Sequence, residues 1–146
     1  MNVNKHICMK NEVIERIKAF LEDEDYTQNL ATDEEINRAE NLLKVSFDSD
    51  YKQFIKLFGG AYVGYSIYSF KNLNDLENVD IIELNKSFEN HGIPDFEDKY
   101  VISFDGSGSP IMIDSEGKIL LFDHDNGEYV VLADSFEKLI EDNLPD

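Results

Sequence analysis

The sequence predicts an α+β fold: a mostly antiparallel sheet with N-terminal helices and a C-terminal helix packed on it. Three observations carry this. The N-terminal part places apolar residues at helical spacing. From Tyr100 the pattern changes to short apolar runs separated by the turn sequences DGSGS, SEG and DNG. One more amphipathic stretch then closes the chain. Helices, then a meander, then a helix is the order of an α+β domain, because a parallel sheet would alternate strands with helices.

The first helix is read in NEVIERIKAFLEDED, where Val13, Ile14, Ile17, Phe20 and Leu21 fall on one face. The acidic run at residues 22–25 then carries the chain into solvent. TDEEINRAENLLK reads as a second helix with Ile36, Ala39, Leu42 and Leu43 as its apolar stripe. Thr32 and Glu35 have capping-box spacing, each able to satisfy a free N–H of the first turn. SDYKQFIKLFGG supplies a third helix with Tyr51, Phe54, Ile55 and Phe58 inward, stopped at Gly59. AYVGYSIYSF is aromatic and β-branched and reads as a strand. NVDIIELNKSFENHGIP is a fourth helix, with Ile81, Leu84 and Phe88 on one face and Gly92 and Pro94 ending it. His91 sits at that exit, where a histidine caps the helix end more readily than it catalyses. YVISF, PIMID, KILLF and EYVVL are the meander strands, and DSFEKLIEDNL is the last helix. In that helix Asp134 and Glu137 are read as the cap, and Phe136, Leu139, Ile140 and Leu144 as the buried stripe.

A length of 146 residues points to one domain, residues 1–146, with no internal repeat or linker. A chain of this size buries roughly 68–70% of its unfolded surface, enough for a core without staples. Ten Phe, seven Tyr and no Trp make Phe and Tyr the large core side chains. The formal net charge of −18 argues against nucleic acid, whose phosphates require Lys and Arg, and against an anionic membrane surface. It would attract a basic protein or peptide; the alternative reading of the same charge is solubility. Cys8 is the only cysteine, which excludes an internal disulfide and a multi-cysteine metal site. MNVNKHICMKNEV lacks the apolar core of a signal peptide, and no run reaches the roughly 20 apolar residues of a membrane span. The expectation is a cytoplasmic protein.

FDGSGSPIMIDSEGKILLFDHD holds most of the residues with chemical potential. A phosphate cradle would place its glycines ahead of a helix, but DGSGS precedes the strand-like PIMID and lacks the P-loop lysine. Asp105, Asp114, Glu116, Asp123, His124 and Asp125 are metal-competent, yet an EF-hand register puts Gly106 and the apolar residues 111–113 in ligand positions. No G-x-S-x-G elbow occurs, and the nearness of His6 to Cys8 in sequence does not make a dyad. The stretch therefore reads as strands and turns. Asp105, Asp123, His124 and Asp125 are candidate partner-binding residues at its turns, with no catalytic residue, metal or cofactor implied.

INRAENLLKVSFDSDYKQFIKLFGGA resembles the N-terminal signature of the SUKH superfamily through Ile36, Glu40, Leu43, Tyr51, Phe54, Ile55, Gly59 and Gly60. GSGSPIMIDSEGKILLFDHD is similar to the family's strand pair and ADSFEKLIE to its closing helix, so the likeness spans residues 32–144. Phe47 and Asp48 stand where Leu-Pro is usual, with Asp48 still able to cap the helix, and the Trp of many members is absent. The resemblance implies an α+β fold and a binding role without catalysis: an immunity protein that neutralises a toxin, for which a basic nuclease would suit the acidic balance. A regulatory protein-binding scaffold is the alternative reading. A metal-dependent hydrolase using the clustered carboxylates is a third.

Overall fold

The computed structural model describes residues 8–144. His6 and most of the stretch examined for a targeting signal lie outside them. The elements run α1 (Asn11–Phe20), α2 (Asp33–Leu43), α3 (Ser49–Phe58), β1 (Ala61–Tyr62), β2 (Ser66–Ile67), α4 (Ile81–Phe88), β3 (Tyr100–Phe104), β4 (Pro110–Ile113), β5 (Ile119–Asp123), β6 (Glu128–Ala133) and α5 (Phe136–Asn143). This is the α+β order expected. The main sheet is antiparallel in the order β3-β4-β5-β6.

Local signals set the helix starts. Thr32 accepts from the Glu35 N–H at 3.1 Å, and the Glu35 carboxylate accepts from the Thr32 N–H at 2.9 Å. Two first-turn donors are thereby satisfied reciprocally. Thr32→Ala is expected to lower stability by about 1 kcal/mol, read as a lower denaturation midpoint at unchanged slope. A second capping box, Asp80 with Glu83, starts α4 and was not read from the sequence. At α3 the Asp48 carboxylate accepts from the N–H groups of Asp50 and Tyr51 at 3.0 and 3.3 Å. The Asp48 N–H donates to Tyr100 Oη at 2.7 Å. The aromatic neighbour Phe47 packs its ring 4.7 Å from Tyr100 and 5.3 Å from Tyr51. Phe47 and Asp48 thus enter the helix by a core anchor and a cap.

Four sequence readings need correction. AYVGYSIYSF forms β1 and β2, two short antiparallel strands rather than one. The chain reverses at Gly64, whose φ of +97° a side chain would resist; an added Cβ would also lie 2.7 Å from the Asn143 carbonyl. Phe20 and Leu42 are not core residues, at 38% and 44% exposure. Each lies on the flank of its stripe: α1 centres its buried face on Ile17, and α2 on Ile36 and Ala39. The cap of α5 is Ser135, which accepts from the Lys138 N–H at 3.0 Å. Glu137 instead accepts from the Lys10 N–H at 2.6 Å, joining α5 to the start of α1.

The core is aromatic at its centre. Tyr51, Phe54 and Phe58 of α3 meet Phe136 of α5 and Tyr100 of β3, all at most 1% exposed. The ring pairs Tyr51–Phe136 and Phe54–Phe136 are edge-on at 5.8 and 5.5 Å, the geometry favoured by ring quadrupoles. Burial pushes the Tyr51 phenol far above its ordinary range, so it remains a donor, to the Tyr68 carbonyl at 2.6 Å.

The outer edge of β3 is closed by neighbours. The Asn85 carboxamide of α4 accepts from the Val101 N–H at 2.6 Å and donates to the Val101 carbonyl at 2.9 Å, as a paired strand would. One step along, the Tyr68 N–H donates to the Ile102 carbonyl at 2.9 Å.

Candidate partner-binding surface

The three hairpin turns of the meander use one device. At each, the strand-ending Asp folds its carboxylate over the turn and accepts backbone N–H groups, as Asx turns do. Asp105 accepts from the N–H groups of Ser107 and Ser109 at 3.0 and 2.9 Å and from the Ser107 hydroxyl at 2.8 Å. Asp114 accepts from the N–H groups of Glu116 and Lys118 at 2.9 and 3.0 Å. Asp123 accepts from the Asp125 N–H at 3.0 Å. Gly108, Gly117 and Gly127 supply the positive φ that closes each turn. In DGSGS the N–H groups of Ser107, Gly108 and Ser109 are therefore already paired, the last two with the Asp105 carbonyl and carboxylate.

An antiparallel meander puts alternate turns at opposite ends. Asp105 and Asp123 come to one end and Asp114 and Glu116 to the other, so the six metal-competent residues of the segment 104–125 divide into two groups. Among the described residues, no three His, Cys, Asp or Glu side chains are grouped to hold a metal ion.

Asp105, Asp123, His124 and Asp125 do share an end. Ser109 Oγ lies 3.3 Å from His124 Nδ1, and His124 Nε2 lies 3.7 Å from Asp125 Oδ1. Of the carboxylates, Asp125 is exposed, whereas Asp105 and Asp123 are only half-exposed because they turn back onto their loops. Partial burial pushes the Asp105 carboxyl up, but the hydrogen bonds from Ser109 and Ser107 and the nearby His124 together outweigh it and leave it below the ordinary carboxylate range.

Beside these turns is an apolar hollow that sequence reading missed. Phe88 and Ile93 on one side and Pro110 and Phe122 on the other enclose about 240 Å³, with His91 and His124 at the rim. His91 packs edge-on against Phe88 at 5.0 Å, over the end of α4. A second hollow of about 320 Å³ adjoins it through Phe88 and Gly108 and includes Val79, Leu84 and Phe104. The signal available in sequence was Phe88 at the helix exit, followed by Ile93 and Pro94; what it faced was not.

The β6 flank completes this side. Tyr129 rests edge-on against Phe122 at 5.1 Å and donates its hydroxyl to the Pro94 carbonyl at 2.7 Å. Burial first, and then Asp95, Asp98 and Glu97, push this phenol up to about 12, which keeps it a donor at neutral pH. Among the described residues, no helix is long and apolar enough to cross a membrane.

A family model described as SMI1-KNR4 cell-wall, SUKH_5, matches residues 10–145. No curated protein matches the chain.

Proposed function

Because the chain belongs to the SUKH family, of the SMI1-KNR4 cell-wall type, we propose that it is a cytoplasmic immunity protein that binds and neutralises a basic toxin domain without catalysis. The carrying observation is the acidic hairpin end beside an apolar hollow, in a chain of net charge −18. A hollow lined by Phe88, Ile93 and Phe122 suits an apolar anchor of a partner, and the surrounding carboxylates suit its Lys and Arg. Nucleic acid is not a ligand in this reading, because the field repels phosphate. The family's cell-wall description supports a second reading, a regulatory module that binds a protein of its own cell.

Capture with the products of adjacent genes distinguishes the two. A secreted-toxin domain bound stoichiometrically and silenced supports immunity; a housekeeping protein bound in its place supports regulation. With the captured toxin, association should exceed the unassisted range of about 10⁵–10⁶ M⁻¹s⁻¹ at low salt. It should slow as salt shortens the screening length to about 8 Å. The combined change Asp125→Lys and Glu128→Lys, at two exposed positions, should slow association by roughly three- to tenfold at low salt and alter dissociation less. Asp123 is spared in this variant because its carboxylate holds the turn. Stopped-flow rates that ignore both salt and the double substitution would exclude steering through this surface.

A further inference from the structure

The main sheet guards one edge and leaves the other bare. At β3 the backbone is met by Asn85 and Tyr68. At β6, among the described residues, no backbone hydrogen bond joins residues 129–132 to anything beyond the β5 pairing. Val130 and Val131 are 47% and 58% exposed. Consecutive strand residues face opposite sides of a sheet, so β6 is uncovered on both faces at this point. Edge strands are commonly protected by Lys, Pro or a bulge. Neither Lys nor Pro occurs in β6. Its bulge falls at Leu132, since Ile119 pairs with Ala133 and Leu120 with Val131. The Glu128 N–H is taken by Asn126 Oδ1 at 3.0 Å, so residues 129–131 remain as a regular edge.

The charge along the chain on either side of this edge has one sign. Residues 119–137 contain Asp123, Asp125, Glu128, Asp134 and Glu137 and no Lys or Arg. Glu128 and Asp134 bracket the two exposed valines. Lys99, 5.3 Å from the Tyr129 ring centre, is already paired with Asp98 at 2.9 Å. A second copy of a chain carrying −18 is repelled by this field. An extended basic segment is attracted by it.

We propose that the β6 edge at residues 129–131 binds an extended segment of the basic partner by strand addition. Main-chain hydrogen bonds supply affinity, Val130 and Val131 supply the apolar contact, and Asp125, Glu128 and Asp134 select Lys or Arg on the incoming strand. The inference rests on the reading that this acidic domain binds a basic protein, and it names the form that partner presents.

The test uses ¹⁵N-labelled full-length chain and a synthetic peptide of alternating Thr and Val with Lys at both ends. Two further peptides serve as controls: one N-methylated at alternate residues and one with Glu replacing Lys. The expected result is slowed amide exchange and shift changes centred on residues 128–132. Both control peptides should bind at least about tenfold more weakly, since one loses the ladder and the other the charge match. Val131→Lys, at an exposed site, should weaken the basic peptide equally and leave the melting temperature unchanged. Equal binding of the N-methylated peptide, or no response to the basic one, would overturn strand addition. Shifts confined to the Phe88–Phe122 hollow would overturn it too, and would leave the acidic-surface reading standing. Protection of β6 in the free protein together with concentration-dependent dimerisation would assign the edge to a second copy and overturn the basic partner. Failure of the toxin reading itself is read separately, from the capture experiment.

Discussion

Asn85→Ala is expected to lower stability by about 2–4 kcal/mol, because it leaves buried backbone groups without partners. Asn85 is only 3% exposed. Its Oδ1 accepts from the Val101 N–H at 2.6 Å, and its Nδ2 donates to the carbonyls of Val101 and Ile81, each at 2.9 Å. Val101 is fully buried, so water cannot replace the carboxamide on this edge. The loss of contact is therefore accompanied by the desolvation cost of a donor and an acceptor. Asn85→Asp should be at least as damaging, since a carboxylate would face the Val101 and Ile81 carbonyls. Urea titrations followed by circular dichroism would measure both. A loss of under about 0.5 kcal/mol for Asn85→Ala would mean that the β3 edge is satisfied by something other than this side chain.

Gly60→Ala is expected to cost a comparable amount, about 2–4 kcal/mol, through overlap and a disrupted hydrogen-bond pair. A Cβ on Gly60 would overlap Asn72 Oδ1. That oxygen accepts from the Ser69 N–H at 2.8 Å, and the same carboxamide donates to the Val79 carbonyl at 2.8 Å. The Gly60 backbone cannot withdraw, because its N–H donates to Lys71 and its carbonyl accepts from Leu73, both at 2.9 Å. The methyl must therefore displace Asn72 and break the tie between the β2 exit and the segment leading into α4. Its neighbour Gly59 is constrained differently, by a φ of +71° and by Asn29, whose Cβ would lie 2.7 Å from a new Cβ. In a double-mutant cycle, Gly60→Ala with Asn72→Ala should cost less than the sum of the single changes, since the second removes the atom the first collides with. Strict additivity would locate the cost of Gly60→Ala elsewhere.

The two changes probe features of different legibility. The Gly59-Gly60 pair was visible in the sequence as a helix stop and part of a family signature. That Gly60 is pressed against an amide 12 positions onward was not, because the contact is made by a loop returning from β2. Asn85 falls by helical spacing on the apolar face of IIELNKSF beside Ile81, Leu84 and Phe88. A polar residue there has to find a buried partner, but only the placement of β3 against α4 makes it a substitute strand.

By itself the sequence determined what depends on neighbours within a few residues. Thr32 with Glu35 starts α2, Tyr51, Phe54, Ile55 and Phe58 share a face of α3, and DGSGS, SEG and DNG separate the strands. These follow from backbone periods and from side chains that reach their own turn. Tertiary structure alone decided what depends on which element covers which. PIMI and YVVL look equally suited to a core, yet Ile111, Met112 and Ile113 are fully buried whereas Val130 and Val131 stand in solvent. The strand order makes β4 an inner strand and β6 an edge. The same order brings Asp105, Asp123, His124 and Asp125 to one end and sends Asp114 to the other. Burial and proximity are set by packing between segments far apart in the chain, and the period of a single segment carries no record of its partner.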